Sequence, residues 1–208
     1  MRPFVAGLVL GAGSSSRLGQ PKQLLTYRDK PLLQTAVDSA LAARFDQVVV
    51  AIGGAAPQVR TQVDFGTAIV TENVAFTSGC SSSIVAALAA VEPQADGLVL
   101  LLGDQPGVTI ETINTMIDLF STDPESDSGS EPPPALSVCR YQDGSGHPFA
   151  FSAEAFADLA ELQGDKAVWK LLESGRYPVT EVSRPGPIPP DVDTWEDYEA
   201  LLQENLSA

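Results

Sequence analysis

Two basic residues that could bind an anionic substrate, Arg17 and Lys22, lie in a glycine- and serine-rich stretch, Leu10 to Lys22. The stretch follows an apolar run, Phe4 to Leu10, that has the length of a buried strand. Proteins bind phosphates with arginine, lysine and the free backbone N–H groups of such glycine-rich turns. Arg17 and Lys22 therefore predict an anion site, and a triphosphate is the obvious anion.

The charge of the whole chain supports this prediction. The 208 residues include 12 basic and 27 acidic side chains, which gives a net charge of −15. Four of the basic residues nevertheless fall between positions 14 and 30: Arg17, Lys22, Arg28 and Lys30. The alternative interpretation is a tight turn, which Gly11 and Gly13 would permit, with ordinary surface cations.

Two familiar phosphate loops do not match the stretch. A dinucleotide fingerprint requires a third glycine and an acid after the second strand, whereas this chain has Ser16 and no acid directly after Ile52. Pro21 also argues against a helix that begins straight after the glycines. The Gly-Lys-Ser/Thr of a P-loop does not follow at the required spacing. An NAD-linked oxidoreductase is therefore disfavoured.

One carboxylate could hold the cation that accompanies a triphosphate. Asp104 follows the apolar run Gly97 to Leu102, so it is expected at the carboxyl edge of a buried strand. Asp191 and Asp193 are two residues apart and can share one face of an extended segment. Because Mg²⁺ takes one or two carboxylates plus phosphate oxygens and water, we expect a Mg²⁺ site. The alternative for Asp104 is that it caps the helix that begins near Thr109.

Strands and helices that must position these residues alternate along the chain. Apolar runs predict strands at 4–10, 47–52, 67–71, 97–102 and 135–140, and helical spacing predicts helices at 31–42, 55–63, 84–91 and 110–120. Two more helices are predicted, one through Leu172 that Asp165 would cap and one opened by a capping box of Thr194 and Asp197. This alternation predicts an α/β fold: one three-layer α/β/α domain over residues 1–208 with a mostly parallel sheet. The ligand is then expected beyond the carboxyl ends of the strands.

Composition excludes several classes of partner. The strong negative charge would repel nucleic acid and anionic membranes. No apolar window is long enough to span a membrane and no signal peptide is evident, so a cytoplasmic location is expected. Cys80 and Cys139 lack metal or disulfide spacing, and both are expected to be small buried residues. Residues 121–134, with four acids, four prolines and no base, are expected to be a flexible solvated loop.

Two further segments have both a structural and a functional interpretation. Serines 81–83 precede the helix predicted at 84–91, where they could cap backbone N–H groups or bind a hydroxyl or phosphate of a ligand. His147, the only histidine, lies between a glycine-rich turn and a short predicted strand. A lone histidine is more often structural than catalytic.

The stretch Leu10 to Lys22 resembles the signature L-x-[AG]-G-x-x-x-R-[ML]-G-x-x-K of nucleotidyltransferases with a glycosyltransferase-A-like fold. Among these it most resembles the molybdenum cofactor cytidylyltransferases and their MobA-like relatives. In that family the loop wraps a nucleoside triphosphate, and alanine at the position of Ala12 is typical of the cytidylyl branch. Gly11 and Leu18 differ from the usual alanine and methionine, and neither change removes a functional group.

Four other segments carry the resemblance. They are Asn73 to Ser83, Gly103 to Pro106, Gly146 to Pro148, and Asp191 to Asp197, in which Trp195 replaces a proline. Gly164 to Lys166 resembles a further segment, G-D-x-G, but Ala167 replaces its second glycine.

The resemblance implies a role for each matching residue. The nucleotide-binding residues would be Leu10, Gly11, Ala12, Gly13, Ser14, Ser15, Arg17, Lys22, Asn73, Gly79 and Ser83. The catalytic residues would be Arg17, Lys22 and Asp104, and the Mg²⁺ ligands Asp104 and Asp193, with Asp191 as the alternative to Asp193. The acceptor-binding residues would be Gln105, Pro106, Gly146 and His147.

The resemblance also implies a reaction, the transfer of CMP from CTP to the terminal phosphate of molybdopterin or its molybdenum-loaded form. The implied partners include a molybdenum hydroxylase that receives the product. A guanylyl- or sugar-1-phosphate nucleotidyltransferase would share the loop and the metal. A non-catalytic carrier of the molybdenum cofactor is an alternative of a different class, against which the two metal carboxylates argue.

Overall fold

A seven-stranded sheet forms the centre of the computed structural model, which describes residues 2–121 and 132–207. Nine strands occur in the described part of the chain: β1 Val5–Gly11, β2 Thr26–Tyr27, β3 Lys30–Pro31, β4 Gln47–Ile52, β5 Ile69–Glu72, β6 Gly97–Leu102, β7 Leu136–Arg140, β8 Ser145–Ser152 and β9 Val179–Ser183. The order across the sheet is β5-β4-β1-β6-β8-β7-β9, and β2 pairs separately with β3. β8 alone runs antiparallel to its neighbours in the seven-stranded sheet. The predicted mostly parallel sheet is confirmed.

Helices cover both faces of this sheet. The described α-helices are α1 Leu32–Ala42, α2 Ala56–Gln62, α3 Cys80–Leu88, α4 Ile110–Asp118, α5 Phe156–Ala160, α6 Ala167–Glu173 and α7 Trp195–Ser207. Apolar residues of α1, α2 and α4 pack in one core cluster, and those of α3, α5 and α6 pack in another. Strand β1 alternates between the two, because Val5 and Val9 belong to the first cluster and Leu8 and Leu10 to the second. The predicted three-layer α/β/α architecture is confirmed.

A third, smaller core cluster joins segments that are far apart in sequence. Leu18 and Leu25 from the glycine-rich region pack with Val192 and with Leu201 of α7. The hydroxyl of Tyr198 donates a 2.6 Å hydrogen bond to the carbonyl of Thr26. This contact holds the segment that carries Asp191 and Asp193 against the loop that carries Arg17 and Lys22.

Several predicted boundaries differ from the structure. Helix α3 begins at Cys80, four residues before the predicted start, so serines 81–83 lie inside its first turn. The third predicted strand is shifted to Ile69–Glu72, and β8 already includes His147. Gly11 does not turn the chain, since it is the last residue of β1. A Cβ atom there would lie 2.9 Å from the end of the Leu33 side chain, so glycine allows Leu33 to pack closely against the strand.

The loop prediction at 121–134 falls mostly on residues 122–131, which lie outside the described residues. Within the described ranges, no helix is both long enough and apolar enough to cross a lipid bilayer.

Candidate active site

A cavity of about 490 Å³ opens beside the carboxyl ends of β1 and β6. Its lining includes most of the residues that the sequence singled out: Leu10, Gly11, Ala12, Gly13, Ser14, Ser15, Arg17, Lys22, Gly79, Ser83, Asp104, His147, Asp191 and Asp193. The ends of neighbouring parallel strands point to one edge of the sheet, which explains why the loop after β1 meets the residues after β6. The structure therefore brings the predicted cations and carboxylates into one cavity.

Internal hydrogen bonds hold the glycine-rich loop over this cavity. The buried Gln23 donates from Nε2 to the carbonyls of Gly11 at 3.0 Å and Gly13 at 2.9 Å. The hydroxyl of Ser15 accepts a 2.9 Å hydrogen bond from the backbone N–H of Lys22. The chain reaches the left-handed conformation at Ser15, with φ of 52°. These bonds fix the loop at both of its ends.

Lys22 lies between two of the predicted metal ligands. Its ammonium group contacts the carboxylate of Asp104 and also that of Asp193, the latter at 2.7 Å. Arg17 reaches the other oxygen of Asp193 at 3.2 Å. Both predicted phosphate-binding cations therefore contact Asp193, and Lys22 also contacts Asp104.

Local backbone structure fixes the position of these carboxylates. The backbone N–H of Val192 donates to the carbonyl of Asp104 at 3.1 Å, which joins the two acidic segments directly. Thr109 caps α4, since its hydroxyl accepts from the N–H of Thr112 at 3.1 Å. Because α4 has its own cap, Asp104 does not serve in that role. The predicted capping box of Thr194 and Asp197 is also confirmed.

The charges of the cluster are coupled. Burial alone would lower the pKa of Lys22, but Asp104 and Asp193 together outweigh it and raise this pKa. Hydrogen bonding to Lys22 lowers the pKa of Asp193. Burial raises the pKa of Asp104, and the nearby Lys22 opposes that rise. The lysine ammonium is therefore held in its charged form by the two carboxylates.

The donor set of this cluster fits a divalent cation that is shared with a phosphate ligand. The carboxylates of Asp104 and Asp193 both contact a single cationic group, the Lys22 ammonium, so they lie close enough to serve one cation. Over residues 2–121 and 132–207, no three His, Cys, Asp or Glu side chains form a group that could hold a metal. A hard cation such as Mg²⁺ commonly binds one or two carboxylates and takes its other ligands from phosphate and water.

The segment predicted to contact the nucleoside lies at one side of the cavity. Gly79 and Ser83 border the cavity, whereas the buried Asn73 lies behind them. Asn73 donates from Nδ2 to the hydroxyls of Ser82 at 2.8 Å and Ser83 at 3.0 Å. The interpretation that serines 81–83 cap the helix is wrong, because none of their side chains caps α3. The Ser82 hydroxyl donates instead to the carbonyls of Ala75 and Gly79.

Asp165 has a different partner from the predicted one. Its Oδ1 accepts a 3.0 Å hydrogen bond from the backbone N–H of Cys80 at the start of α3. Helix α6 begins instead after Lys166, which adopts a left-handed conformation with φ of 56° and forms no side-chain cap. Asp165 therefore caps a helix that lies 85 residues earlier in the chain.

Aromatic side chains line another part of the cavity. His147 lies 4.1 Å from the ring centre of Phe149, and Trp169 meets Phe149 edge to face at 5.1 Å. Burial lowers the pKa of His147 from 6.5 to about 3, so its ring is neutral at physiological pH. Cys80 also borders the cavity and is exposed, so the expectation that it is buried was wrong. The same expectation is confirmed for Cys139.

Three of the residues predicted to bind the acceptor do not border the cavity. Gln105 is buried and donates from its side chain to the carbonyl of Pro189. Pro106 is half-buried, and Gly146 lies in β8, where an added Cβ atom would be 3.1 Å from Ile188. Of the four predicted acceptor residues, only His147 is placed at the cavity wall.

Sequence reasoning did not select Gln23 or Trp169 as site residues. Gln23 directly follows Lys22, so its place in the loop was a visible signal. Trp169 belongs to a helix whose position over the cavity depends on tertiary packing, for which the sequence carries no local signal.

The sequence also matches a known family over residues 7–180, the MobA-like NTP transferase domain. The chain belongs to this family. It is therefore an enzyme of the nucleotidyltransferase class, as the loop signature predicted. Asp191 and Asp193 lie outside the matched range, so the family match does not bear on their predicted roles.

Solved structures of similar chains share this fold. The crystal structure of Rv0371c from Mycobacterium tuberculosis H37Rv is 46% identical, with a TM-score of 0.85 over 98% of this chain and 100% of that chain. A complex of Rv0371c with manganese has also been solved, at 44% identity and a TM-score of 0.83 over 96% and 98% of the two chains. Two other structures are only 13% and 18% identical and still give TM-scores of 0.76 and 0.74, which confirms the predicted fold class. They are a 4-diphosphocytidyl-2C-methyl-D-erythritol synthase from Anaerococcus prevotii and a CMP:2-keto-3-deoxy-manno-octonic acid synthetase.

Relatives of known name are more distant. The purine catabolism protein PucB of Bacillus subtilis (strain 168) is 27% identical over 96% of both chains. The nicotine blue oxidoreductase of Paenarthrobacter nicotinovorans is 34% identical over 55% of this chain and 56% of its own length. These two relatives do not share one named activity.

Proposed function

We propose that the protein transfers CMP from CTP to the terminal phosphate of molybdopterin or its molybdenum-loaded form and releases pyrophosphate. The observation that carries the proposal is the convergence of Arg17 and Lys22 with Asp104 and Asp193 in one cavity below the glycine-rich loop. Cations and metal-binding carboxylates together are the groups that phosphoryl transfer requires.

The choice of nucleotide rests on one residue of the loop. Ala12 lies at the cavity wall and is almost fully buried. Alanine at this position resembles the cytidylyl branch of the family. A guanylyl- or sugar-1-phosphate nucleotidyltransferase remains the alternative within the same mechanism.

In the proposed reaction, a terminal phosphate oxygen of the acceptor forms a bond to the α-phosphorus of CTP. The bond between that phosphorus and the bridging oxygen to the β-phosphate breaks, and its electron pair leaves with pyrophosphate. The acceptor phosphate is already an anion, so no general base is required. Arg17 and Lys22 would neutralise the charge that grows on the leaving pyrophosphate.

Asp104 and Asp193 would hold a divalent cation, and the manganese complex of Rv0371c supports a metal of this kind. When bound, the cation would offset charge on the phosphate oxygens at the reacting centre. His147 would help to orient the acceptor. Because its pKa is about 3, it would do so as a neutral ring and not as a general base.

A turnover assay tests this proposal. The protein is incubated with molybdopterin, Mg²⁺ and either CTP or GTP, and pyrophosphate release is measured. We expect release with CTP and little with GTP. Absence of release with CTP would count against the cytidylyl assignment, and tight binding of the cofactor without any turnover would favour the carrier.

Two matched variants test the role of Asp104. Asp104→Asn should reduce pyrophosphate release by roughly 100-fold or more and leave the protein folded, because the amide cannot replace a charged metal ligand. Asp38→Asn is the control, since Asp38 pairs with Lys30 at the surface and neither residue lines the cavity. A fully active Asp104→Asn enzyme would refute the metal role.

A further inference from the structure

Lys22 lies between the carboxylates of Asp104 and Asp193 and neutralises part of their charge. Its side chain is only 12% exposed, and its ammonium contacts both Asp104 and Asp193. Asp193 has a second cationic partner in Arg17, whereas Asp104 has no other basic partner among the described ion pairs.

The proposed function gives the same two carboxylates to a divalent cation. An ammonium and a metal ion cannot both occupy the space between them, because their charges repel one another at such short range. The ammonium must therefore leave when the metal enters. In its new position it needs another anion, since a charged lysine without a partner is costly to bury.

We infer that Lys22 excludes the divalent cation until a nucleoside triphosphate binds, so that metal and nucleotide enter the site together. The inference rests on the proposed function and adds an order of binding to it. The phosphates supply what both cations require. They accept hydrogen bonds from the Lys22 ammonium, and they give the metal the further oxygen ligands that two carboxylates alone do not provide.

The rest of the cluster is consistent with this exchange. Residues 2–121 and 132–207 contain no third acidic, histidine or cysteine side chain positioned to complete a metal site with the pair. The Lys22 backbone is held by the Ser15 hydroxyl, so only the side chain has to move. By linkage, if nucleotide strengthens metal binding then metal must strengthen nucleotide binding by the same factor.

Manganese titration of the whole protein without nucleotide tests the inference. Free Mn²⁺ is followed by electron paramagnetic resonance for the wild type, Lys22→Gln and Lys22→Met. We expect both variants to bind Mn²⁺ at least about tenfold more tightly than the wild type, because the competing cation has been removed. Lys22→Gln keeps a polar group beside Asp104, so it provides a second variant if Lys22→Met fails to fold.

Nucleotide binding should change in the opposite direction. Affinity for an unreactive CTP analogue, measured by calorimetry, should fall in both Lys22 variants because a phosphate contact is lost. A variant that merely disturbs the site would weaken both ligands. Lys30→Gln is the matched control, since it removes the same charge from a surface pair with Asp38 and should leave Mn²⁺ affinity unchanged.

Equal or weaker Mn²⁺ binding by both Lys22 variants would overturn the inference, as would a tenfold gain in Lys30→Gln. A double variant with Lys22→Gln and Asp104→Asn should lose Mn²⁺ binding, because the inference puts the metal between Asp104 and Asp193. Retained binding in that double variant would overturn the inference as well. None of these titrations uses an acceptor or turnover, so they can succeed while the proposed reaction fails, and the reverse.

Discussion

Of the two neighbouring aspartates Asp191 and Asp193, only Asp193 contacts the cations of the cavity. Asp193 pairs with both Lys22 and Arg17, and these partners lower its pKa. Asp191 borders the cavity and lies near enough to Asp104 to oppose its ionisation, but no ion pair of the described residues includes it. The neighbours at spacing two thus have different environments, which the spacing alone does not distinguish.

This difference leads to a first prediction. Asp193→Asn should lower kcat by roughly 100-fold, whereas Asp191→Asn should lower it by less than about tenfold. Steady-state pyrophosphate release measures both. A larger loss for Asp191→Asn would reverse the assignment of the second metal ligand.

His147 leads to a second prediction, which concerns stability and pH. Its pKa in the folded protein is about 3, below the ordinary 6.5, so the unfolded chain binds a proton more readily within that range. Acid therefore costs folding stability from pH 6.5 down to about 3, by at most about 1.4 kcal/mol per pH unit. His147→Gln lacks this penalty, and its free energy of unfolding should fall less steeply in acid. Parallel denaturant titrations compare the slopes, and identical slopes would contradict the lowered pKa of His147.

At the scale of single elements, Asp165 links α3 to the segment before α6. Its carboxylate caps the first N–H of α3, and the carbonyl of Gly164 accepts from the N–H of Ser81 at 3.3 Å. Gly79, which precedes α3, has a φ of 102°, and an added Cβ atom there would lie 2.8 Å from the Asp165 carboxylate. The cavity wall at this side is therefore built from two segments that support each other.

The third prediction tests this support. Asp165→Ala should lower the free energy of unfolding by about 1 kcal/mol, because the first turn of α3 loses its cap. It should also weaken nucleotide binding, since Gly79 and Ser83 border the cavity. Asp165→Asn keeps an oxygen that can accept the hydrogen bond and should retain most of both properties. Thermal unfolding and calorimetry measure them, and an Asp165→Ala protein as stable as the wild type would refute the cap.

The elements themselves were largely predictable, and their long-range contacts were not. Continuous apolar runs placed β4 and β6 at their observed bounds, because buried parallel strands have an unambiguous composition. The start of α3 was misplaced because its cap comes from Asp165, 85 residues away. The loop residues of the site were predictable from their motif, whereas the position of Trp169 at the cavity wall depends on tertiary packing.

At the scale of the whole molecule, the site joins distant parts of a strongly acidic chain. Lys22 and Asp193 are 171 residues apart in sequence, and the small core cluster around Val192 brings their segments together. The net charge of −15 disfavours binding of an anion everywhere else on the surface. Arg17 and Lys22 must therefore attract an anionic ligand despite the negative electrostatic potential of the rest of the protein.

Metal removal gives the fourth prediction. A chelator should abolish pyrophosphate release and yet shift Tm by no more than about 1 °C, because Lys22 already pairs the two carboxylates. Addition of Mg²⁺ should restore activity without refolding. Differential scanning calorimetry with and without chelator, next to the turnover assay, provides the measurement. A fall of several degrees would show that the folded state depends on the metal.

The placement of Lys22 has a consequence for how such an enzyme survives in a cell. Because Lys22 pairs the two carboxylates when no metal is bound, the protein should stay folded when divalent metal is scarce and regain activity when metal returns. Its rate of degradation would then depend on its fold, and only its activity would depend on the metal concentration.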